Sequence, residues 1–283
     1  MSRPCANSWS RSPVGRINDA FDRLAHDGKK GFIPFITAGD PDLDTTLELI
    51  LELDRTGATV IELGIPFTDP MADGPVIQRA SERALKHNFG VSEVLDLVHK
   101  ARAETDVPII LFTYFNPLLQ FGLDRLPSAM KEAGVDGVLV TDLTPEEGEV
   151  FAGDLRAHDL DMIFLVAPTS TDDRLRLVSQ RATGFIYAIS RAGVTGTRST
   201  VSEEAEKLVR RVHCFSTLPV AVGFGISTAK QVRDVQEYAD AVVVGSAIVA
   251  EIERASHEGN IAEHIGAFAR SLLTADGNND HGQ

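Results

Sequence analysis

Residues 59–75 read TVIELGIPFTDPMADGP, and this stretch decides the fold. Its first part, Thr59–Ile65, is a short apolar run with several β-branched side chains, which predicts a strand buried on both faces. Proline, glycine and aspartate crowd the residues that follow, which predicts a stiff loop. A strand buried on both faces is typical of a parallel sheet covered by helices, so we expect the same pattern elsewhere in the chain.

Seven further apolar runs repeat the pattern, with longer amphipathic stretches between them. The eight predicted strands are Gly31–Thr37, Thr59–Ile65, Val107–Tyr114, Gly137–Thr141, Met162–Ala167, Gly184–Ser190, Pro219–Gly223 and Ala241–Val244. Eight strands that alternate with helices predict an α/β protein with a single (β/α)8 TIM barrel. A doubly wound open sheet is built from the same βα units and is the structural alternative.

Two of the predicted helices carry start signals in the sequence. Leu43–Thr56 follows Asp42, a residue type that often caps helices by accepting a hydrogen bond from a free backbone N–H. Pro145–His158 follows Thr144, which can cap in the same way, and Pro145 suits the first helical position because it has no N–H to satisfy.

The N-terminal segment predicts one more helix. Ser12 and Pro13 open it, and four of its apolar residues share one helical face: Val14, Ile17, Phe21 and Leu24. We expect this helix to pack against the barrel and close its bottom. The domain prediction is a disordered N-terminal extension at residues 1–12, a (β/α)8 catalytic barrel at residues 13–273 and a disordered tail at residues 274–283.

Composition narrows the classes of function. The chain has 283 residues, 43% of them apolar, and a net charge of −14 at pH 7. That charge disfavours nucleic-acid binding, which depends on Lys and Arg along the phosphates. No apolar run is long enough to span a membrane, and Cys5 and Cys214 imply no disulfide framework. We expect a soluble, cytoplasmic protein, although the Arg- and Ser-rich residues 1–18 weakly resemble an organelle-targeting segment.

Two carboxylates follow from the known location of active sites in such barrels, at the C-terminal ends of the strands. Glu62 stands among apolar residues of the second predicted strand, and strand alternation turns it toward the barrel interior. Burial there should raise its pKa, so that it can exchange a proton near neutral pH, although a salt-bridged interior glutamate would read the same way. Asp73 in the following loop is the second candidate acid; the alternative is an ordinary turn residue.

Glycine-rich strand ends predict a phosphate site. Gly223–Ser227 reads GFGIS after the seventh run, and Gly245 with Ser246 opens the stretch after the eighth. Glycine lets the backbone approach an anion, and Ser246 can cap a short helix whose free N–H groups point at it. The loop SRAGVTGTRST after the sixth run, with Gly193 and Gly196, can reach the same anion.

The distribution of the other reactive side chains limits the chemistry. None of the seven lysines lies inside a predicted strand or at its C-terminal end, which disfavours a Schiff-base mechanism. The eight histidines also lie outside the strand ends, and no metal site is predicted. Acid–base catalysis by carboxylates on a phosphorylated substrate remains.

Several motifs resemble those of one known family. IELGIPFTDPMADGPVIQ is similar to the defining active-site stretch of tryptophan synthase alpha chains, and FIPFITAGDP, SRAGVTGTR and VGFGIS resemble further motifs of that family in the family's order. The resemblance extends from Gly31 to Leu273. It implies a TIM-barrel lyase that cleaves indole-3-glycerol phosphate to indole and glyceraldehyde 3-phosphate by a retro-aldol reaction.

The resemblance also implies roles for individual residues. Glu62 matches the catalytic glutamate that shuttles protons, and Asp73 matches the aspartate that stabilises positive charge on the indole nitrogen. Tyr187 matches a tyrosine beside the substrate chain, and Thr195 matches a threonine of a mobile lid. The implied phosphate-binding residues are Gly196, Gly225, Gly245 and Ser246, and the implied walls of the indole pocket are Phe35, Phe112 and Phe224.

The partner implied by the resemblance is a beta subunit that carries pyridoxal phosphate, in an alpha–beta–beta–alpha complex; no cofactor is expected in this chain. The expected contact residues are Asp69, Tyr114, Phe115 and Asn116. Thr144 stands where family members often have proline. The alternatives are a stand-alone indoleglycerol-phosphate lyase, a phosphate-binding barrel isomerase or epimerase, and a catalytically weak subunit that mainly activates a partner.

Overall fold

Eight parallel strands form a closed barrel in which each strand pairs with the next one along the chain and the last pairs with the first. The computed structural model describes residues 15–189, 198–223, 225–256 and 259–274. The strands are Gly31–Thr37 (β1), Ile61–Gly64 (β2), Ile109–Thr113 (β3), Gly137–Val140 (β4), Asp161–Val166 (β5), Ile186–Ile189 (β6), Val220–Gly223 (β7) and Ala241–Val244 (β8). All eight predicted strands are present, and the pairing of β8 with β1 rules out an open sheet.

The helices surround this barrel and cover its upper end. They are Arg16–Asp27 (α1), Leu43–Arg55 (α2), Pro75–Leu85 (α3), Val91–Ala101 (α4), Phe115–Phe121 (α5), Leu126–Ala133 (α6), Glu149–Ala157 (α7), Asp172–Arg181 (α8), Arg198–His213 (α9), Ala229–Gln236 (α10), Ser246–Ala255 (α11) and Ile261–Leu273 (α12). The prediction of a helix after each strand is confirmed, and β2, β3 and β8 are each followed by two. Asp42 caps α2 as predicted, accepting a hydrogen bond of 2.7 Å from the Thr45 N–H.

The predicted start of the helix after β4 is wrong. Residues 144–148 form a turn in which the Gly148 N–H donates to the Thr144 carbonyl oxygen over 2.9 Å. The Thr144 hydroxyl donates to the Glu147 side chain and accepts from the Glu147 N–H over 3.4 Å, so Thr144 caps this turn, but α7 begins only at Glu149. A capping residue followed by proline is compatible with a single helical turn as well as with a continuous helix, and here the single turn forms.

The two faces of each strand pack into separate cores. Inward-facing residues such as Ile33, Val60 and Ile110 form a cluster inside the barrel, whereas Phe32 and Ile36 pack outward against the helices. The alternation along β1 therefore divides successive side chains between the two cores. This double burial explains why the strands are apolar runs in the sequence.

Helix α1 closes the barrel at the N-terminal ends of the strands, as predicted. Ile17 and Phe21 are buried and belong to the inner cluster, and the ring centroids of Phe21 and Phe185 are 5.9 Å apart. The described helix runs from Arg16 to Asp27 and is followed by Gly28, whose φ of 66° suits glycine, while the predicted opening residues Ser12 and Pro13 lie outside the described residues. The extension at residues 1–12 and residues 275–283 of the predicted tail lie outside the described residues. Within the described ranges, no helix is long and apolar enough to cross a membrane.

Candidate active site

Glu62 lies inside the barrel, in β2. Its Cα is in register with Phe35 of β1 and Ile110 of β3, and only 1% of the residue is exposed. Its Oε1 has no hydrogen-bond partner, and the glutamate forms no ion pair, among the residues that the structure describes. Burial raises the pKa of Glu62 well above its usual value. The interior position is confirmed, and the geometry does not match a salt-bridged structural glutamate.

Tyr187 shares the barrel interior with Glu62. It is buried in the inner cluster, in β6, and its hydroxyl lies directly against Gly223, where an added Cβ would be 2.2 Å from that oxygen. Burial raises the pKa of the tyrosine well above its usual value, and the charge of Glu62 raises it further. The phenol is therefore neutral, so it can donate a hydrogen bond but cannot act as a base.

Asp73 is held above the barrel by Tyr114, the residue that follows β3. The Tyr114 hydroxyl donates to Asp73 Oδ2 over 3.1 Å and accepts from the Ala72 N–H over 2.9 Å. Burial raises the pKa of Asp73, and the hydrogen bond from Tyr114 opposes that rise. Burial raises the pKa of Tyr114 to about 12, and the charge of Asp73 and the hydrogen bond to it add to the rise. Asp73 thus uses its carboxylate for a contact across the site, unlike an ordinary turn aspartate.

The loop that carries Asp73 is also tied to α3. Gln78 donates through Nε2 to the Asp73 carbonyl oxygen over 2.9 Å. Pro75 occupies the first turn of α3, so the loop passes directly into a helix. These contacts give the loop a defined shape between β2 and α3.

Two of the three predicted pocket aromatics lie against each other. The rings of Phe35 and Phe112 meet edge to face, with centroids 5.2 Å apart. Gly64, the last residue of β2, leaves room for this arrangement because a Cβ there would lie 2.6 Å from Phe35 Cζ. Phe224, the third, lies outside the described residues.

The predicted phosphate-binding glycines follow β7 and β8. Gly225 is exposed and has a φ of 72°, and Gly245 immediately precedes α11. The prediction that Ser246 caps this helix is wrong, because Ser246 is the first helical residue and Gly245 takes the cap position with no side-chain acceptor. The N–H groups of this first turn therefore have no side-chain cap, which suits an anion. Thr195 and Gly196 lie outside the described residues.

The residues predicted to contact a partner lie in the loop after β2 and at the start of α5, which follows β3. Asp69 is exposed and accepts a hydrogen bond of 2.7 Å from the Thr68 hydroxyl. Asn116 is exposed and Phe115 half-buried, and the Phe115 N–H donates to Asp142 Oδ1 over 2.7 Å. Tyr114 differs from these three because it is buried and its hydroxyl faces Asp73.

Sequence reasoning missed the contacts that hold Asp73. Tyr114 was singled out for a partner surface, and Gln78 was not singled out at all. Their contacts join segments that only the barrel brings together; Tyr114 lies 41 residues from Asp73. The one local signal is the position of Gln78 in the first turn after a Gly-Pro pair, where a side-chain amide can reach back to the preceding loop.

Comparison with known proteins places this geometry in a family. Residues 21–275 match the family model described as "Tryptophan synthase alpha chain". The chain is 47% identical over 257 residues to the tryptophan synthase alpha chain of Solibacter usitatus, covering 91% of this chain and 96% of the relative.

Solved structures agree with the sequence match. The tryptophan synthase alpha subunit of Legionella pneumophila superposes with a TM-score of 0.85 at 38% identity, covering 92% of this chain and 97% of that one. A chain from the tryptophan synthase a2b2 complex of Pyrococcus furiosus gives 0.80 at 39% identity, covering 86% and 97%. With a buried glutamate in β2, a loop aspartate above it and agreement over nearly the whole chain, this protein belongs to the tryptophan synthase alpha chain family.

Proposed function

We propose that this chain is a tryptophan synthase alpha subunit, a lyase that cleaves indole-3-glycerol phosphate to indole and glyceraldehyde 3-phosphate. The observation that carries the proposal is Glu62, a carboxyl group enclosed by the barrel with one oxygen unpartnered among the described residues and its pKa raised by burial. A carboxyl group whose pKa is raised by burial holds a proton that it can give and then take back, and the proposed cleavage requires both transfers.

Glu62 acts first as an acid and then as a base. It gives a proton to C3 of the indole ring, and the ring becomes a cation that can accept an electron pair. The bond between C3 and the neighbouring hydroxyl-bearing carbon then breaks, and its electron pair returns to the ring. The hydroxyl proton passes back to Glu62 as the hydroxyl becomes the aldehyde. The carboxyl group ends in the state in which it began, so the reaction is balanced.

Asp73 stabilises the cation during this sequence. Positive charge on the ring is concentrated at the indole nitrogen, and an ionised carboxylate beside it lowers the energy of that state. Tyr114 supports this role, because a hydrogen bond to the charged form keeps the pKa of Asp73 lower than burial alone would set it. Glu62 lacks such a donor, and the two acids are therefore suited to different tasks.

The remaining site residues bind the substrate. Phe35 and Phe112 enclose the indole ring. The amides at the start of α11 hold the phosphate, together with Gly225 in the loop after β7. Tyr187 donates a hydrogen bond to the substrate chain. By the resemblance of their motifs, Gly245 and Ser246 contribute to the phosphate site together with Gly196, while Phe224 completes the aromatic wall and Thr195 belongs to the lid.

The partner is a beta subunit that carries pyridoxal phosphate and receives the indole, in an alpha2–beta2 complex. The similar Pyrococcus furiosus chain comes from a tryptophan synthase a2b2 complex, which supports the proposed stoichiometry. The contact surface consists of the loops above β2 and β3, with Asp69, Phe115 and Asn116 at its rim and Tyr114 linking it to Asp73.

The deciding experiment measures indole release from indole-3-glycerol phosphate by the purified chain, alone and with a tryptophan synthase beta subunit. We expect slow release alone, a large gain with the beta subunit, and a loss of about 10³-fold in Glu62→Gln, in line with the usual contribution of a general acid–base group. Glu62→Asp serves as the matched control, because it keeps the carboxyl group on a side chain one methylene shorter. It should retain more activity than Glu62→Gln. Absence of cleavage under every condition would contradict the proposal.

A further inference from the structure

A buried ion cluster joins three segments at the upper end of the barrel. Arg83 of α3 donates to both oxygens of Asp40, through Nε to Oδ1 over 2.7 Å and through Nη2 to Oδ2 over 2.8 Å. Its remaining terminal nitrogen, Nη1, donates to Glu253 Oε1 of α11 over 2.6 Å. Asp40 lies in the connection between β1 and α2 and is 1% exposed. One guanidinium thus binds two different segments with its two edges.

The outer part of the cluster is more exposed. Arg79, one turn earlier in α3, pairs with Glu253 through Nε and Nη2 over 2.9 and 2.6 Å. The two arginines lower the pKa of Glu253 to about 2, with the Arg79 hydrogen bond the largest cause. Half of the Arg79 side chain is exposed, against about a quarter for Arg83, so solvent screens the Arg79 contact more strongly.

The segments joined by Arg83 carry the two halves of the candidate site. Helix α3 continues directly from the loop that holds Asp73, and α11 opens at Gly245 and Ser246. An apolar contact among Phe35, Ala80 and Val249 brings β1, α3 and α11 together in the same region. The apolar contact is not directional, whereas a bidentate Arg–carboxylate pair fixes both distance and orientation.

We infer that Arg83 is a positioning residue that sets the Asp73 loop and the start of α11 relative to each other. This inference rests on the proposed function for its kinetic consequences, but its structural content is independent of the reaction. Arg83 touches no reacting atom; it acts by holding α3 and α11 against Asp40. Loss of the guanidinium removes the link from α3 and α11 to Asp40, while Arg79 still pairs with Glu253.

The test compares Arg83→Met with Arg102→Met. Arg102 is the matched control because it also pairs with a buried aspartate, Asp136, over 2.8 Å, but at the opposite end of the barrel, beside the start of β4. Both variants remove a partly buried guanidinium and keep an apolar stem, so both should lower the unfolding temperature. Amide hydrogen exchange, the binding of inorganic phosphate, and kcat and KM are measured below that temperature.

In Arg83→Met we expect exchange of residues 66–75 and 245–248 to be at least tenfold faster than in Arg102→Met, and phosphate affinity and kcat/KM to be at least tenfold lower. Arg83→Lys, which keeps the charge but loses the two-edged fork, should fall between wild type and Arg83→Met, and decides the matter if Arg83→Met does not fold. Equal exchange of both segments in the Arg83 and Arg102 variants overturns the inference. A wild-type chain that releases no indole contradicts the proposed function, whereas the exchange comparison still decides the role of Arg83.

Discussion

Glu62 and Asp73 are two carboxylates of similar chemistry in different surroundings. Both have a pKa raised by burial, but only Asp73 has a hydroxyl donor that opposes the rise. A carboxyl group that loses its proton reluctantly suits proton transfer, and one that is helped to remain charged suits the stabilisation of a cation. The division of roles in the proposed reaction therefore follows from one hydrogen bond, that of Tyr114.

Tyr114→Phe tests this division. Removing the hydroxyl removes the interaction that lowers the pKa of Asp73, so its pKa should rise further above the usual value. The acid limb of the pH profile of kcat/KM should then move to higher pH, while activity well above that limb changes much less. Tyr238→Phe is the control, because Tyr238 is a half-buried tyrosine just after α10 that packs against the outer core. An unshifted acid limb in Tyr114→Phe would show that the bond does not set the charge of Asp73.

Asp161 provides a pH test that is independent of catalysis. Burial raises the pKa of Asp161 from its usual 3.8 to about 6, the charge of Asp136 adds to the rise, and the Thr183 hydroxyl opposes it. Since the folded state holds this proton more tightly than the unfolded state, the group's stabilisation is complete below pH 3.8 and is lost as pH rises to about 6. Asp161→Asn should therefore gain about 3 kcal/mol over wild type at pH 8 and nothing at pH 3.5. Urea unfolding at the two pH values measures the difference, and a gain that is the same at both would refute it.

The sequence predicts single residues well where they break a local pattern. Glu62 stands out because a carboxylate among Ile61, Leu63 and Ile65 is costly to bury without a purpose. Arg83 does not stand out, since an arginine in an amphipathic helix is ordinary in isolation, and Tyr114 was singled out for a partner surface rather than for its contact with Asp73. The roles of Arg83 and Tyr114 depend on contacts with residues far away in the sequence, and a single sequence does not show which distant residues folding brings together.

At the scale of elements, the two ends of the barrel have different tasks. The upper end carries the loops and the additional helices α3 and α11, whereas the lower end is closed by α1 through Ile17 and Phe21. At the upper end, the positions of the site residues matter for function, whereas at the lower end the side chains of α1 serve stability by filling the barrel.

Phe21→Ala tests the separation of these tasks. Loss of the buried ring beside Phe185 should cost about 3 kcal/mol of unfolding free energy, as for other large-to-small core substitutions. Because Phe21 lies at the N-terminal end of the barrel, away from the candidate site, kcat/KM should stay within about threefold of wild type at temperatures where the variant is folded. Urea unfolding and steady-state kinetics check the two parts, and a large loss of kcat/KM in a folded variant would contradict the separation.

The strands could be predicted because burial on both faces leaves a continuous apolar run, and two of them, β1 and β8, have the predicted bounds. The helices were harder. Two helices follow β2 because residues 86–90 interrupt what is otherwise one amphipathic stretch, and the start at Pro145 was wrong because a turn and a helix share the same opening residues. Short-range signals distinguish strand from helix better than they locate helix ends.

At the scale of the whole molecule, the exposed apolar residues bear on assembly. Leu119 of α5 is 53% exposed close in sequence to Asn116, and Met71 in the Asp73 loop is 89% exposed. Large apolar side chains left in solvent near an active site commonly mark a surface that a partner covers. This placement supports the proposed contact of the loops above β2 and β3 with a beta subunit.

Leu119→Ser should weaken that association about tenfold, equivalent to about 1.4 kcal/mol. Lys29→Ser, an exposed change at the floor end, is the control and should not alter the affinity. Titration of labelled chain with a beta subunit measures both dissociation constants. Equal affinities for the two variants would place the interface elsewhere.

The closure of the floor by α1 also has a consequence for the movement of molecules. Ile17, Phe21 and Phe185 fill the lower end, so the described residues block a path into the barrel from below. In the proposed reaction, substrate and both products therefore pass through the upper end, and a product that stays bound there blocks the next turnover. A partner bound over the upper end would set the order in which the aromatic and the phosphorylated fragments leave.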